Sequence, residues 1–311
     1  MKWKNVLLLV MLAAMWGPSF LFIKVAVEEI PPLTLVLGRV SIGAIFLLIV
    51  LLSQRRRLPR DRRLWKSLAV MAMLHNTLPW VLLSWGEQYI DSSLASILNG
   101  TTPIFTIVLA HFMVEDDRIT SSKLLGVVLG FAGLFLLIVP SLTDGVQATT
   151  WGLVAVAVAA ALYGVAIIYS REHLRGLPPL VAPATQLSLA TLFMLPVTLL
   201  VDRPWTMESP SAAALGSLVA LGILGTGLAF IVYYRLIETA DSTYVSMVTY
   251  IIPVFGVILG VLVLDEQLTW HTLAGFALIL FGVMVVNGLL DNHLPVLRRR
   301  AMRDDYSPGS D

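Results

Sequence analysis

The sequence predicts an all-α integral membrane protein with ten transmembrane helices, arranged as two inverted repeats of five helices each. Hydrophobic residues make up 57% of the 311 positions and charged residues only 13%, whereas soluble domains carry about 25% charged residues. Ten apolar runs are long enough to cross roughly 30 Å of hydrocarbon as helices. The second half of the chain also repeats residue patterns of the first half in the same order.

Short polar segments separate the ten apolar runs, and each run fits one membrane-spanning helix. They lie at about 6–27, 33–52, 65–85, 92–113, 122–140, 151–169, 180–200, 212–235, 242–263 and 271–290. The first run follows Lys2 and Lys4, as the apolar core of a signal peptide would. It continues into a Trp-Gly-Pro break at Trp16 rather than a small-x-small cleavage site, which favours a membrane helix.

The distribution of Lys and Arg predicts the orientation, because cytoplasmic loops carry an excess of these residues. With the N-terminus in the cytoplasm, all but three of the 21 cations lie on the cytoplasmic side, and the exceptions are Lys24, Arg39 and Arg203. Both termini are then cytoplasmic, which agrees with an even number of spans. We therefore expect a multi-pass protein of the inner (plasma) membrane.

The composition also limits the partners and cofactors. A net charge of +1 lacks the positive excess that is typical of nucleic-acid-binding proteins. The absence of cysteine excludes disulfides and thiolate metal sites. No hydrolase, metalloprotease or phosphate-loop motif is present, so neither catalytic residues, nor a metal, nor a cofactor is expected. The expected partners are a small-molecule solute and the lipid bilayer. The oligomeric state is not predicted, and a monomer is compatible with the sequence.

The repeat is clearest in two segments 150 positions apart, Asp91–Phe105 and Asp241–Phe255, which share an aspartate, two serines, a proline and a phenylalanine. Further matches pair prolines, threonines and glycines in the same order. We therefore expect one repeat at 1–140, a second at 141–290 and a disordered cytoplasmic tail at 291–311. Because each repeat has an odd number of spans, the second enters the membrane from the opposite side, as in many transporters.

Prolines within the apolar runs are expected to interrupt three helices and to contribute to gating. Proline lacks a backbone donor, so it leaves the carbonyl four residues earlier unpaired. Pro103 and Pro253 occupy matching positions in the repeats, and Pro79 lies in the third run. Unpaired carbonyls are tolerated in a membrane only beside protein partners or water. Polar residues next to them, such as Asn99, can satisfy the backbone or contact a solute, and the sequence does not separate these roles.

His75 lies halfway along the third run and is followed by Asn76 and Trp80. Ionisable residues inside spans are costly and usually face a wet interior. We expect these three side chains to form a wall of a solute cavity. The alternatives are an interhelical hydrogen bond for His75 and ordinary packing for Trp80.

Arg39 lies in the outer third of the second run and can act as an anion contact or as a structural cation. We favour a fixed ion pair at the outer side with Glu87, Glu28 or Glu29, and snorkelling to the headgroups is the alternative structural role. Lys24 is interpreted as a snorkelling anchor near the outer end of the first run.

Several motifs resemble the EamA-type family of the drug/metabolite transporter superfamily. They are Trp16-Gly17-Pro18-Ser19-Phe20 with Lys24, Pro31-Pro32 followed by Arg39, Ala95 to Pro103, Asp117-Arg118-Ile119-Thr120 with Gly126 and Gly133, and Pro253 with Glu266-Gln267-Leu268-Thr269, Gly275 and Gly282. The resemblance covers about residues 5–288. It implies a ten-helix metabolite exporter with a central cavity lined mainly by helices one, three, four, six, eight and nine. In those helices the expected substrate-binding residues are Trp16, His75, Asn76, Trp80, Asn99, Tyr163 and Tyr250.

We therefore expect a transporter that exports small organic metabolites, amino acids or related compounds, by alternating access around a midplane cavity. An alternative is a sugar-phosphate or nucleotide-sugar carrier of the same superfamily. Those relatives use midplane Lys and Arg for phosphate, and we expect no such residue at that depth here. A membrane-embedded enzyme and a channel are remoter alternatives. Enzymatic turnover of a lipid would reveal an enzyme, and single-channel conductance would reveal a channel.

Overall fold

The computed structural model describes residues 3–56, 58–59, 61–114, 119–143, 146–174, 176–178, 180–240 and 242–288, and these residues contain helices and no strands. The ten helices, α1 to α10 in chain order, are Trp3–Val27, Pro32–Ser53, Arg62–Gly86, Ser92–Met113, Ser121–Leu142, Ala148–His173, Val181–Val201, Ala212–Thr239, Tyr244–Leu264 and Trp270–Val286. Nine have the length and composition of a membrane span, and α10 is a shorter apolar helix. The predicted ten-helix fold is confirmed, whereas the predicted tail at 291–311 lies outside the described residues.

The bundle has two ends, because successive helices run in opposite directions. We call the end that holds Trp3 the proximal end, and the end that holds Val27 the distal end. In the orientation predicted from Lys and Arg, the distal end faces away from the cytoplasm.

Two of the helices are interrupted close to a proline. α1 stops at Trp16 and restarts at Pro18, where the missing N–H of proline costs nothing because the first helical donors are unpaired anyway. α4 stops at Asn99 and restarts at Thr102, so Pro103 lies in the first turn of its second part. Both interruptions place polar backbone groups inside the bundle.

The sequence pattern placed an interruption of α9 at Pro253, and the structure differs. The helix is continuous from Val248 to Leu264 with Pro253 inside it, and the interruption is at Met247. A proline within a helix removes one hydrogen bond and can be accommodated without a break when neighbouring helices surround it.

α3 and α8 each contain one six-residue π-helical segment at corresponding positions, Ala72–Thr77 and Ile223–Leu228. In α3 the segment ends just before Pro79, which was expected to break the helix. In α8 the segment contains Gly225 and Gly227 instead of a proline. Such segments widen a helix locally and are frequent at functional sites.

The contacts between helices follow a twofold axis that relates the two halves. Across this axis α2 packs on α7, α4 on α9 and α5 on α10, and each of these pairs joins equivalent helices. The contact of α1 with α8 is matched by that of α6 with α3. Since each half contains five helices, this arrangement is an inverted repeat.

The α5–α10 pair shows the twofold relation residue by residue. A Cβ added at Gly126 would lie 2.6 Å from the carbonyl oxygen of Gly282, and one added at Gly133 would lie 2.7 Å from that of Gly275. Gly126 corresponds to Gly275 in the repeat and Gly133 to Gly282, so the contacts are reciprocal, as in a twofold interface. The missing side chains let the two backbones approach closely.

Candidate functional site

Three consecutive polar residues lie in the π-helical segment of α3, near the middle of that helix. Asn76 and Thr77 are buried, and His75 is half-buried. The Nδ1 atom of His75, both amide atoms of Asn76 and the hydroxyl of Thr77 are buried without a hydrogen-bond partner. A buried polar group without a partner costs roughly 1–3 kcal/mol. This cluster therefore has unused hydrogen-bonding capacity that a solute or water can take.

Aromatic rings from the other half of the chain surround His75. The Tyr163 ring on α6 meets the imidazole edge-on, with centroids 5.4 Å apart, and the Phe230 ring on α8 lies at 6.4 Å. Trp16, next to the interruption of α1, lies 5.5 Å from the Tyr233 ring on α8. Polar groups and aromatic faces from α1, α3, α6 and α8 therefore line one region of the interior.

Arg39 points into the bundle rather than toward the headgroups. Its side chain is buried, its Nε donates to the Thr226 hydroxyl on α8 at 3.1 Å, and its guanidinium lies 3.8 Å from the centroid of the Trp80 ring. The snorkelling interpretation was therefore wrong, because the rotation of α2 directs this side chain inward. The expectation that no cation reaches the interior at midplane depth also has to be corrected, since Thr226 belongs to the π-helical segment of α8.

Glu87 lies just beyond the distal end of α3 and is fully buried, and neither carboxylate oxygen has a hydrogen-bond partner. The predicted ion pair with Arg39 is therefore not formed as a contact. Burial raises the pKa of Glu87 well above its ordinary value, although Lys24 opposes the shift.

Lys24 is not a snorkelling anchor, because its ammonium donates to the backbone carbonyls of Glu87 and Ile90, both at 2.8 Å. It thus stabilises the C-terminus of α3.

Asn99 precedes the interruption of α4 and is half-buried, with its side-chain oxygen lacking a partner. Its backbone carbonyl, expected to be unpaired because of Pro103, accepts the Thr102 hydroxyl at 2.8 Å. The hydroxyl of Tyr250 on α9 donates to the carbonyl of Val283 on α10 at 3.1 Å. The structure thus ties Tyr250 to α10, whereas Asn99 keeps a free acceptor inside the bundle.

The connection between α9 and α10 caps a helix of the other half. Glu266 accepts hydrogen bonds from the backbone N–H of Ser92 at 2.7 Å and of Ser93 at 2.9 Å, and from both serine hydroxyls. An acidic residue just before a helix often caps that helix. That role belongs to Thr269, whose side chain accepts from the backbone N–H of Thr272. Sequence spacing alone could not reveal a partner in the opposite repeat.

Two further side-chain contacts join the halves at the distal end. The carboxylate of Glu29 accepts the backbone N–H and the hydroxyl of Ser211, both at 2.6 Å, and these bonds lower the pKa of Glu29. The carboxylate of Asp202 accepts the backbone N–H of Thr34 at 2.8 Å and its hydroxyl at 2.9 Å. At the proximal end, the side-chain amide of Asn5 donates to the backbone carbonyl of Thr239 in the other half at 2.9 Å.

A pocket of about 270 Å³ lies at the distal end, between the start of α4, the end of α5 and the α9–α10 connection. Asp91, Ser93 and Thr272 are among its lining residues. Burial raises the pKa of Asp91. No group of three or more His, Asp or Glu residues suited to a metal ion occurs in the described ranges.

The fold and this interior define the class of the molecule as a multi-pass membrane protein with a polar and aromatic centre. The sequence profile of the EamA-like transporter family matches the chain twice, at residues 3–139 and 150–288. The chain therefore belongs to the EamA-like transporter family, whose members take small-molecule solutes across a lipid bilayer.

The individual relatives agree with this assignment. The chain is 28% identical over 286 residues to "Uncharacterized transporter YoaV" of Bacillus subtilis (strain 168), with 91% of this chain and 96% of that protein covered. It is 26% identical over 291 residues to "Probable terminal-alkyne amino-acid exporter" of Streptantibioticus cattleyicolor, with 91% and 93% covered. A solved crystal structure, 18% identical, superimposes with a TM-score of 0.66 over 94% of this chain and 100% of the other, which supports the fold.

Proposed function

We propose that this protein exports small organic metabolites, amino acids or related compounds, by alternating access. The observation that carries the proposal is the cluster of buried polar atoms without partners at His75 and Asn76, next to Tyr163 and Phe230 of the other half. In inverted-repeat transporters the solute site lies near the midplane between the repeats. The proposed site comprises Trp16, His75, Asn76, Trp80, Asn99 and Tyr163, and Tyr250 contributes through its contact with α10.

The side-chain contacts at the distal end support a conformation closed at that end. Glu29 with Ser211, Thr34 with Asp202, and Glu266 with Ser92 all join opposite halves. In alternating access one half rocks against the other around the site, so these contacts must separate when the distal end opens.

The excess of Lys and Arg at the proximal end supports insertion in the cytoplasmic membrane with both termini in the cytoplasm. The distal end then faces outward, and the distal contacts close the conformation described here toward that side. A relative that bears the name of an amino-acid exporter supports the solute class.

Solute flux in proteoliposomes containing the purified protein tests the proposal. We expect wild-type protein to move at least one labelled amino acid, and His75→Ala and Asn76→Ala to lower the flux roughly tenfold or more, the equivalent of one buried polar interaction. His173→Ala is the matched control, because this exposed histidine lies at the proximal end. We expect it to keep the wild-type flux.

Two results would contradict the proposal. Flux that is the same in wild type, His75→Ala and Trp80→Ala would remove the site. Failure of wild-type protein to move any amino acid, nucleoside or related metabolite, with or without a pH gradient, would remove the exporter function. Single-channel currents across a planar bilayer would replace alternating access with a channel.

A further inference from the structure

We infer that Arg39 is the anion subsite of the solute path, where its guanidinium pairs with a carboxylate of the transported solute. The inference rests on the proposed function and names one chemical group that the solute must carry. It starts from a cation that is buried in the membrane interior without a contacting counter-ion.

The charge of Arg39 is only partly compensated. Within the described residues its single hydrogen bond is donated by Nε to the Thr226 hydroxyl. Its guanidinium otherwise stacks on the face of the Trp80 ring. Both partners are neutral. A buried charge is normally paired with an opposite charge, because desolvation is otherwise uncompensated.

The nearest acid does not supply the missing partner. Glu87 makes no ion-pair contact with Arg39 among the described residues, and both of its carboxylate oxygens lack hydrogen-bond partners. Burial also raises the pKa of Glu87, which favours its neutral form and weakens it as a counter-ion. A position for a further anion at Arg39 is therefore open.

The geometry of the guanidinium suits a carboxylate. Because Nε is used by Thr226, the edge formed by Nη1 and Nη2 is left for a ligand. This edge offers two parallel donors, which match the two oxygens of a carboxylate. The backbone of Gly225 borders this edge, since a Cβ added there would lie 3.9 Å from Nη2 and 2.7 Å from the Ser19 hydroxyl.

The surroundings favour a carboxylate over a phosphate ester. Within the described residues the contacts of Arg39 are with Thr226 and Trp80, and neither supplies a second cation. One guanidinium balances the single charge of a carboxylate, whereas a phosphate monoester carries up to two negative charges at neutral pH. The Trp80 ring, which holds the guanidinium on its face, would lie beside the bound group.

The test measures discrimination between a carboxylate and its neutral amide by the full-length protein. The probes are labelled L-phenylalanine and L-phenylalaninamide, with phenyl phosphate as a third probe, and the readouts are binding in detergent and flux in proteoliposomes. We expect wild-type protein to favour the carboxylate at least tenfold over the amide. We expect Arg39→Gln to abolish that preference by weakening the binding of the carboxylate alone. Arg39→Lys keeps the positive charge but loses the two parallel donors, so we expect it to give an intermediate preference.

Arg203→Gln is the matched control, because this exposed arginine lies at the distal end outside the spans. The inference would be overturned if Arg39→Gln kept the wild-type ratio of carboxylate to amide binding. It would also be overturned if wild-type protein bound the amide and the carboxylate equally, a result that does not depend on the folding of any variant. Stronger binding of phenyl phosphate than of L-phenylalanine would overturn the choice of a carboxylate. Flux of neutral solutes without discrimination would leave the exporter proposal standing and remove only the anion subsite, whereas an absence of all flux would remove the exporter proposal.

Discussion

At the residue scale, the interior contains side chains whose charge or polarity exceeds what the neighbouring protein groups satisfy. Arg39, Glu87 and Asn76 are all buried, and each has polar atoms that the other described side chains leave without full compensation. In a membrane such groups are costly and are usually retained for function. Their protonation and binding properties can therefore be measured one residue at a time.

Glu87 should make stability depend on pH. Because burial raises its pKa, the folded protein holds a proton there at pH values where the unfolded chain has lost it. Stability should then increase as the pH falls from above the raised pKa toward the ordinary glutamate value of about 4.3, and level off below that value. Lys24, Glu266 and Arg39 are the charged groups that act on this carboxyl.

Thermal unfolding of the detergent-solubilised protein between pH 8 and pH 5 would measure this effect. Glu87→Gln, which mimics the protonated form, should show a smaller change of Tm over that interval than wild type. Glu208→Gln, an exposed change at the distal end, should keep the wild-type dependence. Equal slopes for wild type and Glu87→Gln would show that the carboxyl does not bind the proton.

At the element scale, the start of α4 depends on an acid from the opposite half. Glu266→Ala removes the acceptor for the first N–H groups of α4, at Ser92 and Ser93. Loss of a helix cap costs about 0.5–2 kcal/mol. We expect a lower free energy of unfolding and faster hydrogen exchange at the first turn of α4, whereas Gln267→Ala next to it should change neither. Unchanged exchange in Glu266→Ala would contradict the capping role.

The α5–α10 contact should be sensitive to a single methyl group. Gly126→Ala would place a Cβ 2.6 Å from the carbonyl oxygen of Gly282, so the helices would have to separate. Overpacking of this kind costs about 1–3 kcal/mol. Gly216→Ala is the matched control, because nothing lies within 4 Å of a Cβ added there. It should be neutral or stabilising by up to about 1 kcal/mol, since alanine favours helix over glycine.

The elements differ in how far the sequence predicts them. Ten helices follow from hydropathy, and the reciprocal glycine contacts follow from the repeated Gly126 and Gly133 pattern. The π-helical segment of α8 has no comparable signal, because glycines replace the proline found in α3. The inward direction of Arg39 and the cap by Glu266 depend on helix rotation and on contacts between distant parts of the chain, which periodicity does not encode.

At the scale of the whole molecule, the two halves should separate at the distal end during each transport cycle. The chain contains no cysteine, so an introduced pair is the only site of thiol cross-linking. Glu29→Cys with Ser211→Cys replaces a contact between the halves. We expect a short bifunctional thiol reagent to abolish flux in this double variant, and a reducible version of the reagent to allow recovery with dithiothreitol. Each single-cysteine variant, treated in the same way, should keep its flux, and full flux in the cross-linked pair would exclude opening at that end.

The reciprocal glycine contact between α5 and α10 also bears on assembly. Each half contributes an equivalent glycine-containing helix surface to this contact. The segment of chain that joins the halves, between Leu142 and Ala148, is short. The chain can thus be regarded as a dimer whose subunits happen to be fused. Two polypeptides, cut within that link and synthesised together, should recognise each other in the bilayer and restore the complete bundle.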